Sequence, residues 1–410
     1  MRVLMLAQSF APVVGGEERI VEDLSAALAA RGHEVAVATL RQPLGEPPPR
    51  ADGVRVRLLE SAANRVPGLA GDPERAYAPP GPDPAAARGL RRLLREWRPD
   101  VVHAHNWLVH SYLPLDRRRG PALVLSLHDY SLVCPTKRLF LNGAACSGPA
   151  PRKCLAHAVE HYGAAKGTAC ALGVAVAEPL LRRRVDMFLP VSEAVRRLSG
   201  IEDQLPHRVV PNFIGGLPEP PPADEPALRE LPSEPFVLYF GDVTEDKGVG
   251  TLLEAWRGLP EAPPLVLVGR LELSGAAEEP GVIALGRLPH QVAIEAVRRS
   301  AFTVAPSLLP EAFGIVALEA AAAGKPTVAS AIGGLTDVVV DGETGLLVPP
   351  GDAAALRNAL ARLIADAALR ERLGAAARER ARLFSPDRVV PCFEAAYEAA
   401  IEHRAARAPG

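Results

Sequence analysis

The sequence predicts an α/β protein of two doubly wound, Rossmann-like parallel-sheet domains facing each other across a cleft. Short, continuous apolar runs alternate with segments of helical periodicity, the pattern of parallel strands covered by helices on both faces. That alternation runs twice, through residues 1–211 and again through residues 236–385. Between the two series, residues 210–236 carry eight prolines, which do not fit inside packed elements and mark a linker over 212–235. A length of 410 residues also exceeds what one ordinary core serves.

The first strand is "RVLMLA", and "EERIVEDLSAALAARG" after it places Ile20, Val21, Leu24, Ala27 and Leu28 at helical spacing. Gly32 stops that helix and "EVAVAT" is the next strand. Then come the helix "AAARGLRRLLREW", strands "DVVHAH" and "ALVLSLH", a helical stretch over residues 163–184, and strand "MFLPVS". Past the linker the order is strand "FVLYFG", helix "GVGTLLEAWRG", strands "PLVLVG" and "VIALG", helix "HQVAIEAVRRS" and strand "AFTVAPS". The helix in "EAFGIVALEAAAAG" and strand "PTVAS" complete the series. Residues 352–404 are mostly helical, interrupted at Ser385-Pro386, where Ser385 suits an N-cap. The last helix, 386–410, is expected to cross back to the first domain.

Composition narrows the function classes. Hydrophobic residues at 48% and charged residues at 23% describe a soluble globular chain. A net charge of −2 argues against a nucleic-acid binder. Residues 1–211 carry 28 Lys+Arg against 21 Asp+Glu, and residues 212–410 carry 18 against 27, so an anionic partner suits the first half. "MRVLMLAQSF" reads as a strand rather than a signal peptide, and no uninterrupted apolar run reaches bilayer length. Five cysteines, an odd number, fit a reducing cytoplasm.

In such sheets ligands bind beyond the carboxyl ends of the strands, where helix N-termini present free N–H groups. Gly15 and Gly16 follow the first strand, although tight turns use glycine in any case. G-x-G-x-x-G is absent, which removes the main support for a dinucleotide enzyme. In "GDVTEDKGV", Lys247 sits where it can reach a diphosphate, or be a solvated turn lysine. In "PEAFGIVALEAAAAG", Gly314 opens a helix and leaves the N–H groups of Ile315 and Val316 for an anion. Glu311 precedes that helix, and Glu319 lies within it among small and apolar residues, where a carboxylate needs a partner. Two carboxylates also suit glycoside hydrolysis, but these two flank an anion-binding helix start in one segment.

"PSLLPEAFGIVALEAAAAGKPTVAS" followed by "IGGLTDVVVDGETGLLVPPGD" resembles the retaining glycosyltransferases of family 4, which have the GT-B fold. The resemblance extends to "P-x-x-G-G-x-E" near the start, "DVVHAH", "LHD", "PVSEAVR", "VVPN" and the Lys247-Gly248 loop. It implies transfer of a sugar from a nucleoside diphosphate sugar to an acceptor that the motifs do not specify, with no cofactor needed for catalysis. On matching positions, Glu319 would bind ribose hydroxyls and Glu311 the donor sugar. The backbone after Phe313, at Gly314, Ile315 and Val316, would hold sugar and diphosphate oxygens, and Lys247 would neutralise the leaving group. His128 would face the donor sugar, and Gly15 and Gly16 would approach the phosphates. One position departs from the family: Asp242 stands where an arginine is usual, and Arg270 is the candidate replacement. Asp242 keeps two alternatives in view, a catalytically weakened nucleotide-sugar-binding protein and an altered donor preference; a sugar-nucleotide epimerase on the same fold is a third.

A cysteine-rich segment, 134–170, places Cys134, Cys146, Cys154 and His157 together in sequence. Their Cys-x2-His end resembles structural zinc spacing, and the plain alternative is ordinary thiols in a loop. Arg88, Arg91, Arg92, Arg95 and Arg98 recur on one helical face, with further runs at Arg117–Arg119 and Arg182–Arg184. Such a stripe is usually a solvated face; its chemistry also suits peripheral contact with an anionic membrane at the cytoplasmic side.

Overall fold

The computed structural model describes residues 1–407 except 14, 48–51, 67–68, 70–72, 117–118, 223 and 260–261. Arg117 and Arg118 of the predicted basic run, residue 223 of the linker and residues 408–410 of the last helix lie outside the described residues. The chain divides into two compact units, one of Met1–Leu139, Ser147–Phe213 and Pro386–Gly410, the other of Phe140–Cys146 and Ile214–Ser385.

The first unit begins with β1 (Arg2–Ala7), α1 (Gly16–Ala30), β2 (Glu34–Leu40), β3 (Arg55–Leu59) and α2 (Pro84–Trp97). It continues with β4 (Val101–Ala104), the single turn α3 (Val109–Tyr112) and β5 (Ala122–Leu127). A hairpin of β6 (Phe140–Leu141) and β7 (Ala144–Ala145) groups with the second unit. Then follow α4 (Pro151–Tyr162), α5 (Ala164–Arg184), β8 (Met187–Pro190) and α6 (Glu193–Leu198). The sheet order is β3-β2-β1-β4-β5-β8, all parallel. Its central strands are buried along nearly their whole length, as continuous apolar runs require when helices cover both faces. The Asp83 carboxylate caps α2 by accepting from the N–H groups of Ala85 (2.8 Å) and Ala86 (3.1 Å), with Pro84 in the first turn.

The second unit repeats the plan with β9 (Val237–Phe240), α7 (Val249–Arg257), β10 (Leu265–Val268), β11 (Val282–Gly286), α8 (His290–Arg299) and β12 (Phe302–Ala305). It closes with α9 (Ile315–Ala322), β13 (Thr327–Ser330), the turn α10 (Leu335–Val338), β14 (Gly345–Val348), α11 (Ala353–Ala365) and α12 (Ala367–Ala381). The order β11-β10-β9-β12-β13-β14 is again parallel and has the same topology as the first sheet. The proline-rich segment is not free of the core: Leu228 and Leu231 are buried in this unit beside Phe236 and Val266. The last helix, α13 (Pro386–Arg407), places Val389, Phe393, Tyr397 and Ala400 in the core of the first sheet.

Several elements differ from the sequence expectation. The cysteine segment is not mainly loop, because Pro151 and Gly163 bound a helix, α4. Helix α5 passes through Glu178 and Pro179, so among the described residues it is one helix long and apolar enough, by length and composition, to cross a membrane. The candidate zinc ligands are not gathered: no group of three or more His, Cys, Asp or Glu among the described residues is placed to hold a metal ion. Cys134 is buried with its Sγ 3.3 Å from Thr136 Oγ1, whereas the Cys154 Sγ accepts from the Ala150 N–H at 3.3 Å inside the first turn of α4. Cys146 lies in the hairpin segment of the other unit.

α13 is also anchored by charge. Arg404 donates to Asp186 at 2.7 Å and to Asp116 at 2.9 Å, and both carboxylates are buried. Removing one member of such a group strands the others. Arg404→Ala is expected to lower stability by about 3–5 kcal/mol in urea unfolding. Adding Asp116→Asn and Asp186→Asn should recover a large part of that loss.

Candidate functional site

In each sheet the connections run to opposite sides from a central pair, β1/β4 in the first and β9/β12 in the second. The strand ends at such a point form a natural crevice.

In the second unit, the loop after β9 and the loop after β12 are stitched together. The Asp246 carbonyl accepts from the N–H groups of Leu308 (2.9 Å) and Leu309 (3.1 Å). Gly248, with φ +73°, sits so close that a Cβ would lie 1.8 Å from the Pro306 carbonyl oxygen. This fixes Lys247 beside the β12 loop, where its Nζ donates to Glu311 Oε1 at 2.6 Å. Ser307 Oγ donates to the same oxygen at 2.6 Å. Gly314, at φ +97°, turns the chain into α9, and a Cβ there would meet Leu335 at 2.7 Å. Phe313 is buried and meets Phe384 edge-on, with ring centroids 5.6 Å apart. The N–H groups of Ile315 and Val316 therefore open a helix held from both sides.

Glu319, in the second turn of α9, is buried, and its Oε1 lies 2.7 Å from His290 Nε2 at the start of α8. The partner that burial demanded is thus a histidine 29 residues away, which sequence reading missed. Asp242 follows β9 with a half-exposed side chain. Its carboxylate lies 3.4 Å from Arg270 Nη2, and Arg270 Nε also reaches Glu272 at 2.9 Å. Arg270 is therefore near the site but shares its charge between two acids.

In the first unit, Gly15 and Gly16 open α1. A Cβ on Gly15 would strike the Glu18 carboxylate at 2.2 Å, and Glu18 is paired with Arg75 at 3.0 Å. His128 lies just past β5, its Nε2 3.0 Å from His105 Nδ1. Burial lowers His128 to about 4, so the ring is neutral at pH 7. His103 and His105 are likewise held well below their usual value by burial, then by the neighbouring rings. His103 is pinned between Tyr397 Oη and Ser126 Oγ, each at 2.8 Å.

The residue that sequence reading passed over is Glu17. Its Oε1 accepts from Asn106 Nδ2 at 2.5 Å, while Asn106 Oδ1 accepts from the N–H groups of Gln8 (3.1 Å) and Leu108 (3.2 Å). Burial, and then the charges of Glu18 and Asp129, push the Glu17 carboxyl up to about 8, against the lowering influence of Lys137 and Asn106. Its contribution to stability is therefore full below the unfolded value near 4.5 and is lost as pH rises through about 8. Thermal melts of Glu17→Gln should gain on the native chain progressively from pH 5 to pH 9. A stability difference that stays flat across that range contradicts the assignment.

Residues 15–212 match the family described as "Glycosyl transferase 4-like domain", and residues 222–380 match "Glycosyl transferases group 1". A glycogen synthase of Mycobacterium tuberculosis is 32% identical over 406 residues, covering 93% of this chain and 90% of that protein. A D-inositol 3-phosphate glycosyltransferase of Xylanimonas cellulosilytica is 32% identical, covering 99% of this chain and 98% of its own length. Among solved structures, sucrose-phosphate synthase from Thermosynechococcus elongatus has the same fold, with a TM-score of 0.72 at 24% identity over 97% of this chain and 98% of that one. HepE of Anabaena, solved with UDP-glucose, gives 0.68 at 20% identity over 97% and 100%. With both domain families matched in order and relatives above 30% identity along nearly the whole length, the chain belongs to the group 1 glycosyltransferases, of GT-B fold.

Proposed function

We propose that the protein transfers a sugar from a nucleoside diphosphate sugar to an acceptor hydroxyl with retention of anomeric configuration. The observation that carries this reading is the grouping at the β9/β12 strand ends. Lys247 and Glu311 meet there beside the start of α9, and Glu319 lies in the second turn of the same helix, which supports a diphosphate site flanked by hydroxyl-binding carboxylates. Glu319 binds the ribose hydroxyls, with His290 holding the carboxylate in place from behind. Glu311 binds hydroxyls of the transferred sugar. Lys247 leaves Glu311 for the diphosphate, and the helix start adds two amides to the same charge.

In the reaction the bond from C1 to the diphosphate oxygen breaks, and its electron pair stays on the diphosphate. The acceptor oxygen bonds to C1 on the same face, and its proton passes to the departing phosphate oxygen. The positive field is worth most in this step, because negative charge grows on the leaving group. The similarity of the whole chain to a glycogen synthase and to D-inositol 3-phosphate glycosyltransferases supports a hydroxyl acceptor. HepE, a fold neighbour solved with UDP-glucose, makes UDP-glucose the first donor to try.

A thermal-shift panel of UDP-, GDP-, ADP- and TDP-sugars should pick out one nucleotide, and NMR of the first-formed product should show the donor's own anomeric configuration. An inverted product, or donor epimerisation without acceptor, overturns the reading. Glu319→Ala is expected to raise the donor KM about 10- to 100-fold, the loss of hydrogen bonds to a charged group. Lys247→Met should instead lower kcat by about 100-fold or more, because its partner appears in the transition state.

A further inference from the structure

Helix α5 lacks a polar face. Its inner side, Gly167, Cys170, Val174, Ala177 and Leu181, packs into the first unit. Gly167 is so close to α4 that a Cβ would lie 2.2 Å from the Ala158 carbonyl oxygen, so this side is committed to the protein. The outer side should then be polar. It instead shows Leu172, Val176 and Leu180, which are 59%, 72% and 41% exposed and four residues apart. Leu155 of α4 and Leu198 of α6 are exposed as well, so five of the nine large exposed apolar side chains among the described residues belong to these three helices. Only 28% of the most apolar stretch of α5 is covered by protein.

Beside this face lies a cavity of about 700 Å³, lined by Val133, Pro135, Pro151, Leu155, Leu172 and Leu198. Arg152, Arg182 and Arg197 also line it. Arg182 is held there by Glu178 and by the carbonyls of Ser199 (2.8 Å) and Gly200 (2.6 Å). Residues 151–198 carry eight Lys+Arg (152, 153, 166, 182, 183, 184, 196, 197) against four Asp+Glu (160, 178, 186, 193), a net +4.

We propose that this face of the first unit docks on an anionic lipid bilayer. Leu172, Val176 and Leu180 enter the acyl boundary and the surrounding basic side chains meet the headgroups. Charge selects this occupant. The cavity border carries Arg152, Arg182 and Arg197 against Glu178, so a symmetric contact between two copies would bring like-charged borders together, whereas an anionic bilayer complements both the apolar strip and its border. The arginine stripe of α2 is a different surface: its exposed side is charged throughout, with Arg92 paired to Glu96 at 2.7 Å. The inference does not depend on donor or acceptor chemistry.

The test is co-sedimentation of the full chain with phosphatidylcholine vesicles, with and without phosphatidylglycerol, at low and high salt. The native chain should pellet with anionic vesicles, less so at high salt, and weakly with neutral ones. Leu172→Asp/Val176→Asp should cut partitioning at least about tenfold, while Arg88→Ser/Arg92→Ser on α2 should leave it unchanged. Both apolar positions are exposed, and matching thermal melts will show the double variant folded. As a positive readout, Val176→Trp should add fluorescence that brominated lipids quench. Failure of the native chain to pellet, equal pelleting of the aspartate variant, or a dimer that Leu172→Asp/Val176→Asp dissociates overturns the proposal.

Discussion

The chemistry at the strand ends of the second unit depends on one backbone contact, the Asp246 carbonyl receiving the N–H groups of Leu308 and Leu309. Without it the loops after β9 and β12 are separate surface turns, and a lysine on one has no reason to find a glutamate on the other. The contact in turn requires glycine at 248, since only a residue without a side chain brings the backbone against Pro306 at positive φ. Lys247, Ser307 and Glu311 then meet on one carboxylate oxygen without long side chains having to search for each other. Such restriction before any ligand arrives is what keeps the ordering cost of a charged pair low.

The first unit uses the same strand order and fills the same point with groups that favour their neutral forms. Three buried imidazoles are held neutral because water is excluded, a loss that Asp129 and Asn212 beside His128 offset only in part. Glu17 also favours its neutral form, through burial and two neighbouring acids. A surface so built offers hydrogen-bond donors and acceptors with little net field. It contrasts with the second unit, where Lys247 is held on the segment that leads into α9.

The sequence made the strands legible wherever both faces are covered, because burial on two sides leaves no position for a polar residue. β3 was missed for the complementary reason. It is an edge strand, "RVRLL", in which every second residue faces out and the apolar run disappears. α4 was not legible because its apolar residues, Leu155, Ala156, Ala158 and Val159, are few and interrupted by cysteine and histidine, with only Pro151 and Gly163 marking its ends. At the site, Glu319 was legible as a carboxylate in an alanine-rich helix, and Lys247 and Gly314 by position after strands, with the family resemblance adding their roles. His290 and Asn106 carried no comparable local signal: each is ordinary in its own segment and meets its partner only through folding. Glu17 carried no local signal either, because its partner Asn106 lies 89 residues away.

Asp242 occupies the position where the family resemblance leads one to expect an arginine. The backbone there is fixed independently of the side chain, because Tyr239 Oη donates to the Asp242 carbonyl at 2.6 Å and Gly269 packs against Gly241. Arg270 stands at the end of the adjacent strand, β10, but its guanidinium faces both Asp242 and Glu272, so this corner carries one positive and two negative charges. The positive field at the strand ends is thereby concentrated on Lys247 and the first amides of α9. An anion arriving there competes with Glu311 for a single ammonium, and Ser307 keeps the displaced carboxylate hydrogen-bonded. In the proposed reaction, the exchange of Lys247 between Glu311 and the diphosphate would then weigh more in donor binding than it would beside an additional arginine.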